Sequence, residues 1–486
     1  MKKYRFYFIS IIIGVFCAGY FIYMGQVDNH ERSSLVLAEA ENTGENLFPS
    51  PEKTLYQMSL YLDVHNKNIY GNTLLKTENT SEHILEELWF TAYPNAFTTP
   101  NHSPAPKFAY YDGFDEAWLE FSQIVVNGTA AEHKIDGVAV QVILQESISP
   151  DEPIVVEMQW MAKIPKVAYR YGTKNNVFML GNFYPILNVL GDEWHKSYNS
   201  AFGDPFCSHT ANYVVNLNTP EAYDVAATGI SRQEIAEDNG RQIHIIEALN
   251  ARDFSLAVMY NYQELNKTLD QTEIKAYLPS DKIGMGESVL KESADILDYY
   301  SSKFGVYPYE EFKIVYVPMQ GFQGMEYSGL IFLKDEFLRA NYDRNHREVI
   351  LAHEISHQWW YGMVGNDQIK EPWLDEGLAN WSAYKYLQDV KGQKIATSGA
   401  SIKGVKLNKE LGDIYSLSEY FHTAYSGGEA FWFGLEAELG TDKVFKILNR
   451  YLATFKYKIA TTADLLEIIR EESGQDMEEY FARWFK

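Results

Sequence analysis

The chain has 486 residues, of which 42 are Lys or Arg and 66 are Asp or Glu, so its formal net charge is −24. A surface this acidic argues against a nucleic-acid partner, because phosphate backbones are bound by basic groups. The length exceeds one ordinary core and predicts two or three domains. The two cysteines exclude a disulfide framework and a thiolate-rich metal site.

The N-terminus joins a basic tip to an apolar run. Lys2, Lys3 and Arg5 lie in residues 1–5, and residues 6–25 carry no charge. A stretch of about twenty apolar residues spans a bilayer and is longer than the core of most cleaved signal peptides. Because positive charges stay on the cytoplasmic side, we predict a single-pass signal-anchor in the cell membrane, with everything after residue 25 outside the cell. The alternative is secretion after signal cleavage.

Three regions follow the anchor. Residues 26–50 are polar without hydrophobic periodicity, which is typical of a flexible linker. In residues 51–266 apolar and polar residues alternate in short runs between turn signals, and this pattern predicts an all-β domain. In residues 267–486 strand-like runs give way to helical periodicity, which predicts an α+β domain. The clearest predicted elements are strands over 55–64, 138–144, 154–158, 273–278 and 312–317, and a helix over 286–303.

The α+β domain contains a His-Glu-x-x-His sequence at 353–357. In a helix His353 and His357, four residues apart, lie on one face and can share one Zn²⁺ ion. Leu351 and Ile355 recur at helical spacing and predict a buried face on another side of this helix. Glu354 then lies beside the metal without binding it, which is the position of a base that takes a proton from metal-bound water.

A third ligand is expected from the segment 372–380. Pro372 suits the first turn of a helix, and the apolar residues that follow it recur at helical spacing. A turn and an antiparallel return of the chain would bring Glu376 on this second helix to the metal. Two histidines and one glutamate leave a fourth position open for water, which is the arrangement of a catalytic site. The sequence therefore predicts one Zn²⁺ per chain, held by His353, His357 and Glu376.

These motifs resemble the M1 family of zinc metallopeptidases, the gluzin aminopeptidases related to leukotriene A4 hydrolase. That family carries its glutamate ligand in a Trp-Leu-x-Glu-Gly segment, matched at 373–377, and has a Phe-Gly-x-Tyr-Pro-Tyr segment, matched at 304–309. The resemblance implies a multi-domain fold, with a β-sandwich-like domain over 51–266 and a thermolysin-like zincin catalytic domain over 267–486. Because the chain ends where the family's catalytic domain closes, it also implies a short form without the C-terminal helical domain.

The resemblance assigns further site residues. The family's Gly-Ala-Met-Glu-Asn segment corresponds to residues 323–327, which implies that Glu326 binds the free α-amine of the substrate and that Gly324 and Met325 line the substrate site. A tyrosine of the family's Tyr-x-Lys-Gly segment corresponds to Tyr425, whose phenol would stabilise an oxyanion, with Tyr420 as the alternative. The chain departs from the family at 323, 324 and 327, where it has glutamine, glycine and tyrosine, and at 427, where glycine replaces lysine.

Together these features predict a membrane-anchored zinc aminopeptidase that releases N-terminal residues from peptides outside the cell. Its partners would be peptides with a free N-terminus, the membrane through the N-terminal helix, and no nucleic acid. Two other interpretations are kept. One is a catalytically altered surface receptor or interaction protein on the same scaffold, and the other is a zinc endopeptidase. No oligomeric state is predicted from the sequence.

Overall fold

A computed structural model of the chain describes residues 54–200, 202–394, 402 and 404–485. These described residues pack as one compact unit. The predicted cytoplasmic tip, membrane anchor and linker, residues 1–50, lie outside the described residues. Within the described ranges no helix is long and apolar enough to cross a bilayer. Membrane anchoring through residues 6–25 therefore stays a prediction.

The N-terminal part is rich in β-strands, as its alternating pattern predicts. Along Leu55–Asp63 buried residues alternate with more exposed ones, because successive side chains of a strand point to opposite faces of the sheet. This strand pairs in parallel with Ala211–Pro220 near the middle of an eight-stranded sheet. In spatial order the sheet consists of Ile230–Glu237, Arg241–Ala251, Ala211–Pro220, Leu55–Asp63, Asn68–Glu78, Pro153–Lys163, Leu119–Val126 and Thr129–Ala130.

Two four-stranded sheets complete the β-rich part. Buried side chains from all three sheets share one hydrophobic cluster, which includes Leu62, Val140 and Phe178. In spatial order, one small sheet consists of Tyr223–Ala227, Leu256–Tyr260, Val177–Leu180 and Tyr171–Lys174, and the other of Ile186–Leu187, Leu85–Thr91, Ala139–Ile148 and Glu132–Asp136.

A five-stranded sheet opens the mixed C-terminal part. The strands predicted over 273–278 and 312–317 are confirmed as neighbours that pair in parallel. The first strand of this sheet begins at Tyr262, so the predicted domain boundary between residues 266 and 267 falls inside a strand. The edge strand, Gly324–Met325, pairs antiparallel with its neighbour. In spatial order the sheet consists of Tyr262–Leu269, Thr272–Pro279, Glu311–Val317, Leu330–Lys334 and Gly324–Met325.

Helices dominate the chain after Asp343, as the periodicity predicts, and the helix predicted over 286–303 is confirmed as Gly286–Phe304. We call Arg344–Ser356 the motif helix and Trp373–Lys391 the glutamate helix. A short parallel pair, Val364–Gly365 with Lys458–Ile459, lies in the same part. The other α-helical and π-helical segments that the structure describes after Asp343 are Leu417–Tyr420, the π-helical turn Phe421–Gly427, Gly428–Leu439, Thr441–Phe455, Thr462–Ser473 and Glu478–Trp484.

Candidate metal centre and active site

The motif helix presents the first two predicted ligands. Asp343 caps its N-terminus, where the carboxylate accepts hydrogen bonds from the amides of Asn345 and His346 at 2.9 and 3.4 Å. Leu351 and Ile355 are fully buried, as predicted, and fix which face turns toward the core. The helix ends at Ser356, so His353 and Glu354 lie within it.

His357 lies one residue beyond the motif helix, but its backbone keeps a helical conformation, with φ −62° and ψ −14°. The two histidines therefore stay on one face, as a helix would place them. The segment that carries the Phe-Gly-x-Tyr-Pro-Tyr sequence supports this end of the helix. Trp359 donates a hydrogen bond from Nε1 to the carbonyl of Gly305 at 2.8 Å, and the Phe304 ring packs edge-on against Trp360 at 5.0 Å.

The glutamate helix brings Glu376 to the same place. Its backbone crosses the helix Gly428–Leu439 at very short range, because a Cβ atom on Gly377 would lie 2.5 Å from the Cα of Gly428. The glycine of the Trp-Leu-x-Glu-Gly segment is thus required by the close approach of two helices. Leu374 and Leu378 are buried and anchor the helix in the core, so Glu376 is held on a rigid element.

The three predicted ligands converge. His353 Nε2 and His357 Nε2 are 3.1 Å apart, and Glu376 Oε2 lies 3.2 and 3.6 Å from them. A tetrahedral zinc ion bound at about 2.0–2.1 Å would hold its ligand atoms about 3.3 Å apart. His357 Nδ1 lies 2.9 Å from the Trp360 carbonyl, which leaves Nε2 free to bind a metal. Glu376 Oε2 is buried without a hydrogen-bond partner among the described residues, so the donor set fits a metal ion.

Glu354 is buried next to this triad. Burial raises the pKa of its carboxyl to about 8, and the charges of Glu376 and Asp204 act in the same direction. The carboxylate packs on the edge strand of the five-stranded sheet, where a Cβ atom on Gly324 would lie 2.2 Å from Glu354 Oε1. The glycine that departs from the family's alanine therefore makes room for the predicted base.

Glu326 follows the edge strand directly and is buried. Burial raises the pKa of its carboxyl well above the usual value, and the neighbouring charge of Asp204 raises it further. Gln358, just beyond the motif helix, holds this loop in place. Its side chain donates to the carbonyl of Tyr327 at 3.0 Å and accepts from the amide of Gly329 at 2.8 Å. The Gln358 side chain thus connects the loop that carries Glu326 to the end of the motif helix.

Tyr425 lies in the π-helical turn, a helix type that often marks functional sites. Its hydroxyl donates to Glu376 Oε1 at 2.6 Å, and its ring stacks on His353 with the centroids 5.7 Å apart. The Tyr420 hydroxyl lies 3.5 Å from the same carboxylate oxygen. Both candidate tyrosines therefore reach Glu376, the predicted third ligand, with Tyr425 in the closer contact.

The β-rich part contributes a buried ion pair that the sequence did not single out. The Arg170 guanidinium contacts the Asp204 carboxylate, and the Arg170 side chain is 1% exposed. Asp204 acts on the pKa of Glu326 and of Glu354, so the pair lies within electrostatic range of the site. Asp204 belongs to a Gly-Asp-Pro-Phe segment at 203–206, and no spacing or periodicity in the sequence links it to the active site.

The site therefore brings together the two histidines, Glu376 as the predicted third ligand and Glu354 as the predicted base, beside a mixed sheet. This set defines the class of the His-Glu-x-x-His metal-dependent hydrolases. Residues 289–484 match the family model described as the Peptidase family M1 domain. The resemblance seen in the motifs is thus confirmed for residues 289–484, which are similar to the peptidase domain of the M1 family.

Curated relatives match part of the chain. Aminopeptidase M1-B of Oryza sativa subsp. japonica is 26% identical over 248 residues, which cover 47% of this chain and 28% of that protein. Aminopeptidase M1 of Arabidopsis thaliana is 25% identical over 306 residues, which cover 58% of this chain and 34% of that protein. The chain thus spans about a third of the length of these relatives.

Solved structures share the fold over nearly the whole chain. An M1 zinc metallopeptidase from Deinococcus radiodurans superposes with a TM-score of 0.65 at 16% identity, covering 90% of this chain and 94% of that one. A mutant of the same enzyme bound to a Tyr-Ser-Ala substrate gives a TM-score of 0.64 at the same coverage. The β-rich part and the mixed part together therefore have the architecture of these M1 structures.

Proposed function

We propose that this protein is a zinc aminopeptidase, which releases N-terminal residues from peptides by attack of water on the first peptide bond. One observation carries the proposal: three metal donors, an unbound buried glutamate and a second buried glutamate occupy one site. The curated relatives, which are named aminopeptidases, support it.

His353, His357 and Glu376 would hold the zinc ion. When bound, zinc polarises a carbonyl oxygen and lowers the pKa of a coordinated water. The chain's contribution is to fix the donors. The Trp360 carbonyl orients one imidazole and the Tyr425 hydroxyl holds one oxygen of the liganding carboxylate.

Glu354 moves the proton. As a carboxylate it accepts a proton from the attacking water, and as a carboxylic acid it returns that proton to the leaving amine. Burial favours the neutral carboxylic acid of Glu354, and this supports the step that returns the proton to the leaving amine. The packing of its carboxylate against Gly324 restricts where the proton can be held.

Glu326 would bind the substrate's free N-terminus. A buried carboxylate pairs strongly with an ammonium group, and Asp204, Glu354 and Glu376 make the surroundings negative. Among the strands that the structure describes, Gly324–Met325 pairs on one side only, so an extended peptide can add on the other side as a further strand. Measured from this ammonium contact, the first peptide bond would be the one placed at the metal.

Tyr425 would stabilise the oxyanion that forms during the attack. Its hydroxyl donates to Glu376 Oε1 at 2.6 Å, so this role requires the hydroxyl to turn from Glu376 to the substrate. Outside the site, we propose that residues 6–25 anchor the protein in the cell membrane with the catalytic part outside, on the charge pattern of residues 1–25.

The proposal is tested with fluorogenic aminoacyl peptides and their N-acetylated counterparts, with and without a chelator. We expect zinc-dependent cleavage of the free peptides and little cleavage of the blocked ones. Glu326→Gln should remove this discrimination, whereas Glu336→Gln, a control at a partly exposed glutamate, should keep it. Equal cleavage of both peptide series would instead show an endopeptidase, and no cleavage by zinc-loaded protein would favour the receptor interpretation.

A further inference from the structure

A second group of metal-binding side chains lies outside the active site. His195, Cys207 and Asp367 each offer one donor atom, and these three atoms lie within 4.8 Å of one another. His195 Nε2 is in hydrogen-bonding contact with Asp367 Oδ2. The residues come from two segments of the β-rich part and from the loop that leads into the glutamate helix, so folding alone brings them together.

The backbone of His195 is fixed by a hydrogen bond, but one nitrogen of its ring has no hydrogen-bond partner among the described residues. Its backbone amide donates to the carbonyl of Val189 at 2.8 Å, and its side chain is 11% exposed. One ring nitrogen faces Asp367, while Nδ1 is buried and has no hydrogen-bond partner among the described residues. Because Nε2 is the nitrogen that faces Asp367, it is the atom that this ring would offer to a metal ion shared with Asp367, and the unpartnered Nδ1 lies on another side of the ring.

The aspartate is oriented by its own loop. Oδ1 accepts hydrogen bonds from the amides of Ile369 and Lys370 at 3.0 and 2.9 Å, and this leaves Oδ2 to face the group. Lys370 Nζ lies 3.9 Å from Oδ2, which opposes the binding of a cation. The Lys370 side chain is 64% exposed, however, and it can move into solvent when a cation arrives.

The cysteine supplies the third donor. Cys207 is a free thiol and partly buried. Burial raises the pKa of this thiol, and the charge of Asp367 raises it further, so without a metal it stays protonated and unreactive. A metal ion would displace the proton and bind the thiolate.

We propose that His195, Cys207 and Asp367 form a second metal site that takes a borderline-soft divalent ion, Zn²⁺ above all. Nitrogen, sulfur and carboxylate oxygen donors suit zinc, and a thiolate disfavours Mg²⁺ and Ca²⁺, which prefer oxygen. Three protein donors leave a fourth position for water.

The site would tie the β-rich part to the loop that carries the glutamate helix. In that loop Gln368 donates from Nε2 to Asp375 Oδ2 at 2.8 Å and from its backbone amide to the carbonyl of Phe206, the neighbour of Cys207, at 3.3 Å. Asp375 immediately precedes Glu376. An ion held by Asp367 and Cys207 would therefore stabilise the loop that positions the third ligand of the active-site metal.

Cobalt substitution of the full chain tests this site. The active-site donors are nitrogen and oxygen only, so a near-ultraviolet thiolate-to-Co²⁺ charge-transfer band would report the second site alone. We expect this band in the wild type, and about two Co²⁺ ions per chain at saturation, one for each donor set. Cys207→Ser and His195→Gln should lose the band and bind about one ion fewer. Cys17→Ser, the matched control at the other cysteine, should keep both the thiolate band and the second Co²⁺ ion.

Two results would overturn the proposal: a wild type that binds only the active-site ion and shows no thiolate band at saturating Co²⁺, or a band that persists in Cys207→Ser. His195 and Asp367 would then be an ordinary hydrogen-bonded pair beside a buried thiol. The test is independent of peptidase activity, because His353→Ala removes the active-site metal and should leave the thiolate band unchanged.

Discussion

At the scale of single residues, Glu354 depends on a neighbour that has no side chain. We expect Gly324→Ala to displace its carboxylate, because the new Cβ atom would lie 2.2 Å from Oε1. A displacement of about 1 Å at a catalytic group costs on the order of 100-fold in rate. Steady-state kinetics should therefore show a lower kcat, with the zinc content unchanged.

The control for this variant is Gly284→Ala, since a Cβ atom there meets nothing within 4 Å. It should behave as the wild type. If Gly324→Ala keeps full kcat, the contact between Gly324 and Glu354 has no part in placing the base, and the site tolerates the alanine of the family segment.

The two tyrosines near Glu376 should differ in importance. Tyr425→Phe removes a hydroxyl 2.6 Å from Glu376 Oε1, whereas Tyr420→Phe removes one at 3.5 Å. Loss of a group that supports a metal ligand costs about 10–100-fold in activity or metal affinity. We expect kcat/KM to fall by that factor in Tyr425→Phe and much less in Tyr420→Phe. The reverse order would make Tyr420 the functional residue.

At the scale of elements, the site depends on the crossing of the glutamate helix and the helix Gly428–Leu439. Gly377→Ala would place a Cβ atom 2.5 Å from the Cα of Gly428 and force the two helices apart. Overpacking of this kind costs about 1–3 kcal/mol. We expect urea unfolding to show this loss, together with weaker zinc binding because Glu376 moves with the helix.

Gly412→Ala serves as the matched control, because a Cβ atom there makes contacts of 3.6 Å or more. It should leave both the free energy of unfolding and zinc affinity unchanged. Unaltered stability in Gly377→Ala would show that the helices separate at little cost, and the crossing would then not position the ligand.

Elements with a strong local pattern were predictable from the sequence. The helix Gly286–Phe304 and the strand Thr272–Pro279 follow from hydrophobic periodicity, and the helical ligand pair follows from the spacing of His353 and His357. The π-helical turn was not predictable, because its seven residues, three of them small, carry no hydrophobic period that distinguishes a π-helix from an α-helix. The edge strand is two residues long, and only the family resemblance pointed to Glu326 beside it.

Contacts between distant segments carried no local signal. Arg170 and Asp204 pair at the edge of the active site, and His195, Cys207 and Asp367 converge from three loops. No spacing rule connects residues this far apart, so tertiary packing alone shows them.

At the scale of the whole molecule, metal binding should stabilise the fold. Without a cation, the buried carboxylates Glu326, Glu354 and Glu376 share one site with Asp204. An ion that binds only the folded state at about 1,000 times its Kd adds about 4 kcal/mol. We expect a chelator to lower the melting temperature of the wild type, and to lower it less in Glu376→Gln. If the chelator leaves the melting temperature unchanged, His353, His357 and Glu376 hold no metal ion in the purified protein.

The central claim is that Glu354 acts as the base beside a metal that it does not bind. The most direct measurement is the zinc content and peptidase rate of Glu354→Gln, alongside Glu348→Gln, a buried glutamate of the same helix that pairs with Lys391 at 2.7 Å. We predict full zinc occupancy in Glu354→Gln and a loss of about 10²–10⁴-fold in kcat, with activity retained in Glu348→Gln. A zinc-loaded Glu354→Gln that hydrolyses aminoacyl peptides at the wild-type rate would contradict the account.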